Sequence, residues 1–215
     1  MTARFISLEG GEGGGKSTQI KAIEAYLHAK SIPTVLTREP GGSSGAEEIR
    51  KLLVTGEADR WDAETEALLM NSARRDHVVK TIRPALAQDN WVISDRFYHS
   101  TLVYQGYAGD VPLEQLQALI SFAVGDTRPD LTLVLDLPVE VGLQRAADRH
   151  GGESRFEEKG VAFHQRVRDG FRSLANQEPE RVVLIDAARP IELVEADCLA
   201  AVDRLLYSES QDDGG

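Results

Sequence analysis

A glycine-rich segment followed by a lysine and a serine carries the clearest chemical signal in the sequence. Residues 10–17 read GGEGGGKS, which gives the spacing Gly-x-x-x-x-Gly-Lys-Ser. Glycines let backbone N–H groups wrap closely around a polyphosphate, and the helix that follows adds its positive dipole end. The pattern predicts a phosphate-binding loop for a nucleoside triphosphate, with Lys16 on the terminal phosphates and Ser17 on Mg²⁺.

The alternative for this segment is a flexible glycine-rich turn. A β-rich run precedes the segment and a helical pattern follows it, which is the context that a phosphate-binding loop requires. The sequence has no Asn-Lys-x-Asp motif, the base reader of signature GTPases, so a GTPase is disfavoured.

A second set of polar residues follows the next predicted strands. The sequence REPGG occupies residues 38–42 after the second strand, and Asp95-Arg96 ends the third. The carboxyl ends of strands in open α/β sheets are where ligands bind. We predict that Arg96 binds a second phosphate through two hydrogen bonds. We also predict that Asp95 holds Mg²⁺ through water or orients an attacking oxygen. A structural salt bridge at the strand end is the alternative for this pair.

Helical spacing brings three more side chains together. Met70, Arg74 and His77 share one face of a predicted helix. Arg74 on a solvated helix face and His77 as a packing histidine are the alternatives. Two phosphate sites that face each other indicate transfer of a phosphoryl group from one nucleotide to another.

The charged stretch within residues 145–160 has no strand character and predicts a mobile lid. Arg145 and Arg149 lie one helical turn apart, Arg155 follows them, and Gly151-Gly152 offers a hinge. A phosphoryl group in transfer spreads negative charge over its oxygens, which positioned arginines stabilise while lid closure excludes water. A solvated charged loop is the alternative.

Short, nearly continuous apolar runs alternate with helical patterns along the chain. Such runs are typical of strands buried on both faces of a parallel sheet. The predicted strands cover residues 4–10, 91–97, 130–138 and 181–187, and residues 34–42 are a further strand that runs into a Pro/Gly turn. The predicted helices cover residues 16–30, 46–54, 64–87, 113–124, 139–149, 162–176 and 191–206. The alternation predicts an α/β fold with right-handed crossovers.

Composition narrows the function classes. The 215 residues carry a net charge of −11, which disfavours nucleic-acid binding. Cys198 is the only cysteine, so no intramolecular disulfide forms, and we expect a buried, inert thiol. No apolar run has the length of a membrane span, and the first residues lack the apolar core of a signal peptide. We expect a cytoplasmic protein with neither nucleic acid nor membrane as a partner.

Several motifs in one order resemble the thymidylate kinase (dTMP kinase) family. They are LEGGEGGGKST, TREPGG, DRFYHSTLVYQG, RPDLTLVLDLPVEVGLQRA and SRFE, and the resemblance runs from about Arg4 to Leu206. It implies a P-loop NTPase fold of the nucleoside monophosphate kinase type, with a five-stranded parallel sheet flanked by helices and a mobile lid. It also implies phosphorylation of dTMP to dTDP by ATP with Mg²⁺, in dTTP biosynthesis, by a homodimer. On this basis residues 1–207 form the kinase domain, residues 145–160 its lid, and residues 208–215 a disordered acidic tail.

The resemblance also implies roles for individual residues. Arg96 would hold the dTMP phosphate, Arg74 would read the thymine ring, and Tyr104 would lie under the sugar. The implied ATP site is Gly10, Gly11, Glu12, Gly13, Gly14, Gly15, Lys16, Ser17 and Thr18. The implied dTMP site is Glu12, Arg38, Glu39, Pro40, Met70, Arg74, Arg96, Ser100, Thr101, Tyr104, Gln105 and Glu157. The implied catalytic residues are Lys16, Asp95, Arg96, Arg149 and Arg155, supported by Arg145. The implied metal ligands are Ser17 and Asp95. A cis peptide bond would precede Pro40.

Two positions bear on the family pattern. Gly13 stands where some members carry a catalytic arginine in the loop, so the lid arginines must supply that charge. Met70 stands where an aromatic ring usually stacks on thymine, and a thioether stacks more weakly by about 1 kcal/mol. A kinase for another small phosphate acceptor therefore stays open, as does a nucleotide-binding module that switches conformation without transferring phosphate.

Overall fold

A computed structural model describes residues 2–57, 59–148 and 159–207 of the protein. Its sheet consists of β1 (Phe5–Glu9), β2 (Thr34–Arg38), β3 (Trp91–Asp95), β4 (Leu131–Asp136) and β5 (Val182–Asp186). All pairings are parallel, as the sequence predicts, and the strand order is β2-β3-β1-β4-β5. In the central strand, Leu8 pairs with Asp95 on one side and with Leu133 on the other. The carboxyl ends of the strands therefore meet at one edge, where the predicted site residues follow them.

Helices cover both faces of the sheet, and each helix that the sequence predicts is present. They are α1 (Lys16–Ala29), α2 (Ser44–Val54), α3 (Ala63–His77), α4 (Arg83–Ala87), α5 (Tyr98–Thr101), α6 (Leu113–Val124), α7 (Val139–Ala147), α8 (Gly160–Gln177) and α9 (Ile191–Tyr207). One apolar core joins α1 and α9 to the sheet, and the other joins α3, α6 and α8 to its opposite face. Every residue of β1 is buried, because both of its faces are covered.

The long helix predicted over residues 64–87 is present but is not α-helical throughout. A π-helical segment, Val78–Ile82, separates α3 from α4. Pro84 has no N–H and its ring crowds the carbonyl four residues earlier, so the wider turn before it accommodates the proline. The helix begins after Asp62, whose Oδ1 accepts a hydrogen bond of 2.7 Å from the Thr65 N–H.

No sequence pattern predicts the helical segment that follows β3. There α5 runs into a π-helical segment, Leu102–Tyr107. Its Tyr, Ser, Thr and Val residues have low helix propensity, so tertiary contacts must hold it. At the start of this segment, the Phe97 N–H donates a hydrogen bond of 2.8 Å to Glu9. Further along, the Tyr104 ring packs on Phe163 of α8.

Two predictions from composition can be compared with the structure. Cys198 is fully buried in α9, as predicted, and burial raises the pKa of its thiol to about 12, which disfavours the reactive thiolate. Within the described ranges, no helix is both long enough and apolar enough to cross a bilayer.

A row of buried polar side chains ties α5 to the end of α8. Ser7 and Thr132 share a hydrogen bond of 2.8 Å between their hydroxyls, and His99 Nδ1 lies 3.4 Å from the Thr132 hydroxyl. On the other side of the ring, His99 Nε2 lies 3.9 Å from Glu178 Oε1. The His99 imidazole and the Arg181 guanidinium outweigh burial and hold the pKa of Glu178 at about 2.

Replacing Glu178 with glutamine tests this row. The pKa of the carboxyl falls from an ordinary 4.5 to about 2 on folding, so its stabilising contribution is complete above pH 4.5 and is lost as the pH falls toward 2. We expect Glu178→Gln to lower the free energy of unfolding by about 1–2 kcal/mol at pH 7 and by less at pH 3.5. Urea denaturation at both pH values measures this. Glu180→Gln, in an exposed neighbour, is the control, and an equal loss at both pH values would contradict the assignment.

Candidate active site

The predicted phosphate-binding loop joins β1 to α1 through backbone angles that favour glycine. Gly10, Gly13 and Gly15 have φ values of +128°, +70° and +84°. Lys16 begins α1, and its Nζ donates to the carbonyl oxygens of Gly11 at 3.1 Å and Gly10 at 3.4 Å. The lysine ammonium and the positive end of the helix therefore act at the same loop.

The loop packs so closely on α7 that its apex has no room for a side chain. A Cβ added at Gly13 would lie 2.2 Å from the Gly142 carbonyl oxygen, and one added at Gly142 would lie 2.5 Å from the Glu12 carbonyl oxygen. Both distances are far below van der Waals contact. Sequence reasoning missed Gly142, although a glycine inside a helix costs about 1 kcal/mol relative to alanine and so signals a packing reason.

The predicted metal ligands fit Mg²⁺. Ser17 is exposed at the start of α1, and Asp95 ends β3 beside the loop. Burial and the neighbouring Arg96 lower the pKa of Lys16, and the Asp95 and Glu12 carboxylates oppose that shift. In the part of the chain that the structure describes, no three His, Cys, Asp or Glu side chains converge. Mg²⁺ usually keeps several waters and takes one or two protein oxygens beside phosphates, which matches this sparse set.

Arg96 places its guanidinium over the same loop. Nη1 donates to the Gly10 carbonyl at 2.9 Å and to Ser100 Oγ at 3.1 Å, and Nη2 donates to Glu12 Oε1 at 2.9 Å. Lys16 Nζ lies 3.4 Å from the same Gly10 oxygen. Two side-chain cations thus converge on one backbone oxygen, as two facing phosphate sites would require.

The backbone directs Arg96 to this position. Its φ of +68° lies in the left-handed region, which costs an L-residue about 1–2 kcal/mol. The Arg96 N–H donates to the Leu8 carbonyl at 2.9 Å, and the Arg96 carbonyl accepts from Ser94 Oγ at 2.7 Å. Hydrogen bonds to β1 and β3 therefore hold the strained turn.

Glu12 and Tyr104 surround the Arg96 guanidinium. The Tyr104 hydroxyl donates to Glu12 Oε1 at 3.3 Å, and the guanidinium lies 5.2 Å from the Tyr104 ring centre. Burial acts to raise the pKa of Glu12, but Arg96 and Lys16 outweigh it and lower the pKa. Burial raises the pKa of Tyr104, which keeps the hydroxyl a donor. Burial acts to lower the pKa of Arg96, but Tyr104 and Glu12 outweigh it, so the guanidinium stays charged.

Glu9 is a further site residue that sequence reasoning missed. It is fully buried at the end of β1, and it accepts hydrogen bonds from the Phe97 N–H at 2.8 Å and the Ser100 hydroxyl at 2.6 Å. Burial raises the pKa of the Glu9 carboxyl despite these bonds and the nearby His99. The sequence did contain a signal for Glu9, because it is an acidic residue at the end of an apolar strand. Glu9 orients Ser100, which in turn contacts Arg96.

Arg74 is buried, so a solvated helix face is excluded for it. Nε donates to Glu39 Oε2 at 2.8 Å, and Nη1 donates to Asn71 Oδ1 at 2.9 Å. Nη2 donates to Thr101 Oγ1 at 3.1 Å and to the Phe97 carbonyl at 3.3 Å. A guanidinium has five N–H donors, so among the described residues one Nη1 hydrogen is left for a ligand.

His77 has the packing role that was its alternative. It is fully buried, with Nδ1 3.0 Å from Glu39 Oε1 and Nε2 2.6 Å from Thr37 Oγ1. A Cβ added at Gly42 would lie 2.5 Å from His77 Nε2. The imidazole therefore positions the loop after β2, and Glu39 connects it to Arg74.

The strand within residues 34–42 ends at Arg38, before the predicted Pro/Gly turn. The Glu39–Pro40 peptide is cis, as predicted, and the two glycines after it have positive φ, which ends the extended backbone. Arg38 is 54% exposed and pairs with Glu47 of α2 at 3.2 Å. Arg38 is a predicted substrate contact, but in the structure its side chain is directed toward α2.

The residues that the family resemblance assigns to a base lie on two neighbouring helical segments. Met70 is half-buried on α3, one turn before Arg74. Thr101 and Gln105 are buried one turn apart on the opposite segment, and Thr101 accepts a hydrogen bond from Arg74. Hydrogen bonds from Arg74 to Thr101 and from Gln105 to Glu66 join α3 to this segment.

Comparisons with known proteins agree with this geometry. The thymidylate kinase family model matches residues 8–198. A thymidylate kinase of Caulobacter vibrioides is 55% identical over 192 residues, which cover 89% of this chain and 92% of the relative. One of Nitrobacter hamburgensis is 49% identical over 213 residues, or 98% and 93% of the two chains. The chain belongs to the thymidylate kinase family.

A solved structure supports the fold of this thymidylate kinase family member. The crystal structure of thymidylate kinase from Ehrlichia chaffeensis superposes with a TM-score of 0.75 at 31% identity, covering 94% of this chain and 99% of the other. The chain has the P-loop NTPase fold of the family, with five parallel strands flanked by helices. It is an enzyme, a kinase, which removes the alternative of a nucleotide-binding module without transfer.

Two of the three predicted lid arginines lie outside the residues that the structure describes. Arg149, Arg155 and Glu157 are not among the described residues, so their predicted roles stay predictions. Arg145 is described, and its Nη1 donates to the Ala187 carbonyl after β5 at 3.2 Å.

A further ion pair anchors α8 beside the loop in this thymidylate kinase. Asp136 at the end of β4 accepts from Arg168 Nε at 2.7 Å and from Arg168 Nη2 at 3.0 Å. Arg172 Nε lies 3.4 Å from the same carboxylate. The hydrogen bonds that Arg168 donates to Asp136 raise the pKa of Arg168, so the guanidinium stays charged. The two parallel hydrogen bonds fix α8, the helix that follows the predicted lid in sequence.

The contact between α7 and the loop predicts a large effect from one methyl group. Gly142→Ala places a Cβ 2.5 Å from the Glu12 carbonyl, so the loop must shift. We expect kinase kcat/KM to fall at least tenfold and stability to fall by about 1–3 kcal/mol. Steady-state kinetics and thermal unfolding measure both. Val141→Ala, on an exposed neighbour, is the control, and unchanged kinetics in Gly142→Ala would contradict a tightly constrained loop.

Proposed function

We propose that the protein transfers the γ-phosphoryl group of ATP to dTMP, giving dTDP and ADP in the synthesis of dTTP. The observation that carries the proposal is the convergence of Lys16 and Arg96 on the Gly10 carbonyl oxygen. A donor phosphate on the lysine and an acceptor phosphate on the arginine would then lie next to each other. That arrangement supports in-line transfer between two bound nucleotides.

The transfer needs positioning and charge more than proton chemistry. The bond from the γ-phosphorus to the bridging oxygen breaks, and a dTMP phosphate oxygen forms the new bond. That oxygen is already ionised near neutral pH, since the second pKa of a phosphate ester is about 6. Ser17 and Asp95 would hold Mg²⁺, which supplies positive charge to the phosphate oxygens when it is bound. Lys16 and Arg96 hold the two phosphate groups.

The side chains on α3 and on the segment after β3 support a pyrimidine nucleotide as the acceptor. The remaining N–H of Arg74 would donate to a ring carbonyl, and the Met70 thioether would lie against the ring. Tyr104 and Glu12 border the sugar and phosphate beside Arg96. The other proposed contacts are Arg38, Glu39, Pro40, Ser100, Thr101, Gln105 and Glu157, and the proposed ATP site is residues 10–18.

The lid arginines are proposed to stabilise the transferring phosphoryl group. Gly13 cannot carry an arginine without displacing α7, so that charge must come from elsewhere. Arg149 and Arg155 are the candidates within a lid over residues 145–160 of a kinase domain spanning residues 1–207. An arginine in this role accelerates phosphoryl transfer by about 10³–10⁵.

An acceptor panel tests the proposed reaction. We expect ADP release with ATP and Mg²⁺ to be fastest with dTMP among the nucleoside monophosphates. Arg96→Ala should lower kcat/KM for dTMP at least tenfold, and Arg155→Ala should lower kcat at least tenfold. Arg189→Ala, which removes an exposed ion pair with Asp197, is the matched control and should stay within twofold. Equal turnover with every acceptor, or with water alone, would refute the proposal.

We also propose a cytoplasmic homodimer. On one surface, Leu68 of α3 is 56% exposed, Val79 is 43% exposed and Phe122 of α6 is 85% exposed, while Arg75 between them donates to the Ala123 carbonyl. Apolar side chains grouped in this way favour contact with a second copy. The single buried cysteine needs no oxidising compartment.

A charge placed in that surface should separate the subunits. We expect light scattering to give a dimer mass for the wild type and a monomer mass for Phe122→Glu, because an interface core does not accommodate an unpaired carboxylate. Ile191→Glu is the matched control, since Ile191 is 52% exposed at the start of α9 on the opposite face of the sheet. A monomeric wild type, or a dimeric Phe122→Glu, would contradict this surface.

A further inference from the structure

A buried carboxylate lies beside the proposed base pocket, and neither the motifs nor the family resemblance gave it a role. Glu66 is 1% exposed on α3, one turn before Met70 and two turns before Arg74 on the same face. A buried charge is retained only with partners, because its desolvation is costly. Its partners therefore indicate what it does.

The first partner is the side-chain amide of Gln105. Gln105 Nε2 donates to Glu66 Oε2 at 3.0 Å, and both side chains are buried. A carboxylate only accepts hydrogen bonds, so it must face the NH₂ group of the carboxamide and not its oxygen. Glu66 thus fixes which way the Gln105 amide points.

The second partner is a lysine. Lys159 Nζ lies 3.7 Å from Glu66 Oε1, at the start of the described residues that lead into α8. The opposite charge compensates the buried carboxylate and keeps it suited to accepting from Gln105. The same ammonium lies 5.1 Å from the Phe163 ring centre, so it is held from two sides.

The fixed amide leaves its oxygen available for another donor. No hydrogen bond between described residues uses Gln105 Oε1, and Gln105 stands one turn from Thr101, which contacts Arg74. A thymine or uracil ring carries a donor at N3–H next to an acceptor at O4. Cytosine carries an acceptor at N3 and a donor at the 4-amino group, the reverse pattern.

We propose that Glu66 is a positioning residue that selects the pyrimidine, by holding the Gln105 carboxamide oxygen toward the N3 position of the base. The proposal rests on the proposed function, in which the base lies between Met70 and Gln105. With the oxygen fixed, the N3–H of thymine donates a hydrogen bond to it. The N3 of cytosine has no hydrogen, so its lone pair would face a lone pair of the Gln105 oxygen. A site with a misplaced polar partner discriminates strongly, because the mismatch leaves buried groups unpaired.

The test compares dTMP with dCMP in four proteins. Glu66→Gln allows either orientation of the Gln105 amide, so we expect the ratio of kcat/KM for dTMP over dCMP to fall at least tenfold. The loss should be in KM, with kcat for dTMP within threefold of wild type. The double variant Glu66→Gln, Gln105→Glu restores an acceptor toward the base and should recover at least a third of the wild-type ratio. Glu64→Gln, at an exposed position on the same helix, is the control and should keep the ratio.

The outcomes separate this inference from the proposed function. If wild type prefers dTMP but Glu66→Gln keeps its ratio within threefold, the inference alone is overturned. Equal losses with both nucleotides would reduce Glu66 to a structural residue and would also overturn it. If wild type does not phosphorylate dTMP, the proposed function itself fails. Should Glu66→Gln not fold, calorimetric titration of the double variant with dTMP and dCMP decides, since a folded double variant without dTMP preference overturns the inference.

Discussion

The site depends on two like charges held against one oxygen atom. Lys16 and Arg96 both donate to the Gly10 carbonyl, and their mutual repulsion must be compensated locally in a chain whose overall charge is negative. Glu12 accepts directly from Arg96, and Asp95 adds its charge nearby. The strained backbone of Arg96 persists because both of its peptide groups are bonded to the surrounding strands. Phosphate groups that enter this field meet cations whose positions are already fixed.

Close backbone packing decides which other groups can take part. The contact between Gly13 and Gly142 leaves no space for a side chain at the apex of the loop. Any additional guanidinium must therefore come from outside the loop, and Arg149 and Arg155 are the proposed sources. The ion pair of Asp136 with Arg168 holds α8 on the sheet. A rigid loop and an anchored helix thus frame the part of the molecule proposed to close.

The acceptor side is built from buried polar groups that constrain one another. Glu39 connects Arg74 to His77, and Glu66 connects Gln105 to Lys159. Each carboxylate fixes the direction of a donor, so the groups left over present a defined hydrogen-bonding pattern. Met70 lies half-buried on α3, one turn from Glu66 and Arg74. In the proposed function, selectivity would arise mainly from hydrogen-bond direction, with a smaller share from ring stacking.

The sequence by itself determined the parallel sheet, the loop Gly10–Ser17 and the position of Arg96 at a strand end, because these depend on local patterns and on the common edge of parallel strands. The base-contact roles of Thr101 and Gln105 came from the family resemblance. The cis peptide before Pro40 came from the family resemblance and not from any local pattern. Only the tertiary structure decided that Arg38 turns toward α2, that residues 98–107 are helical, and that Glu9, Glu66 and Gly142 contact predicted site residues or the segments that carry them. Each of these depends on contacts between residues far apart in the chain. Burial, close approach and hydrogen-bond direction are properties of the assembled fold, and spacing along a sequence does not encode them.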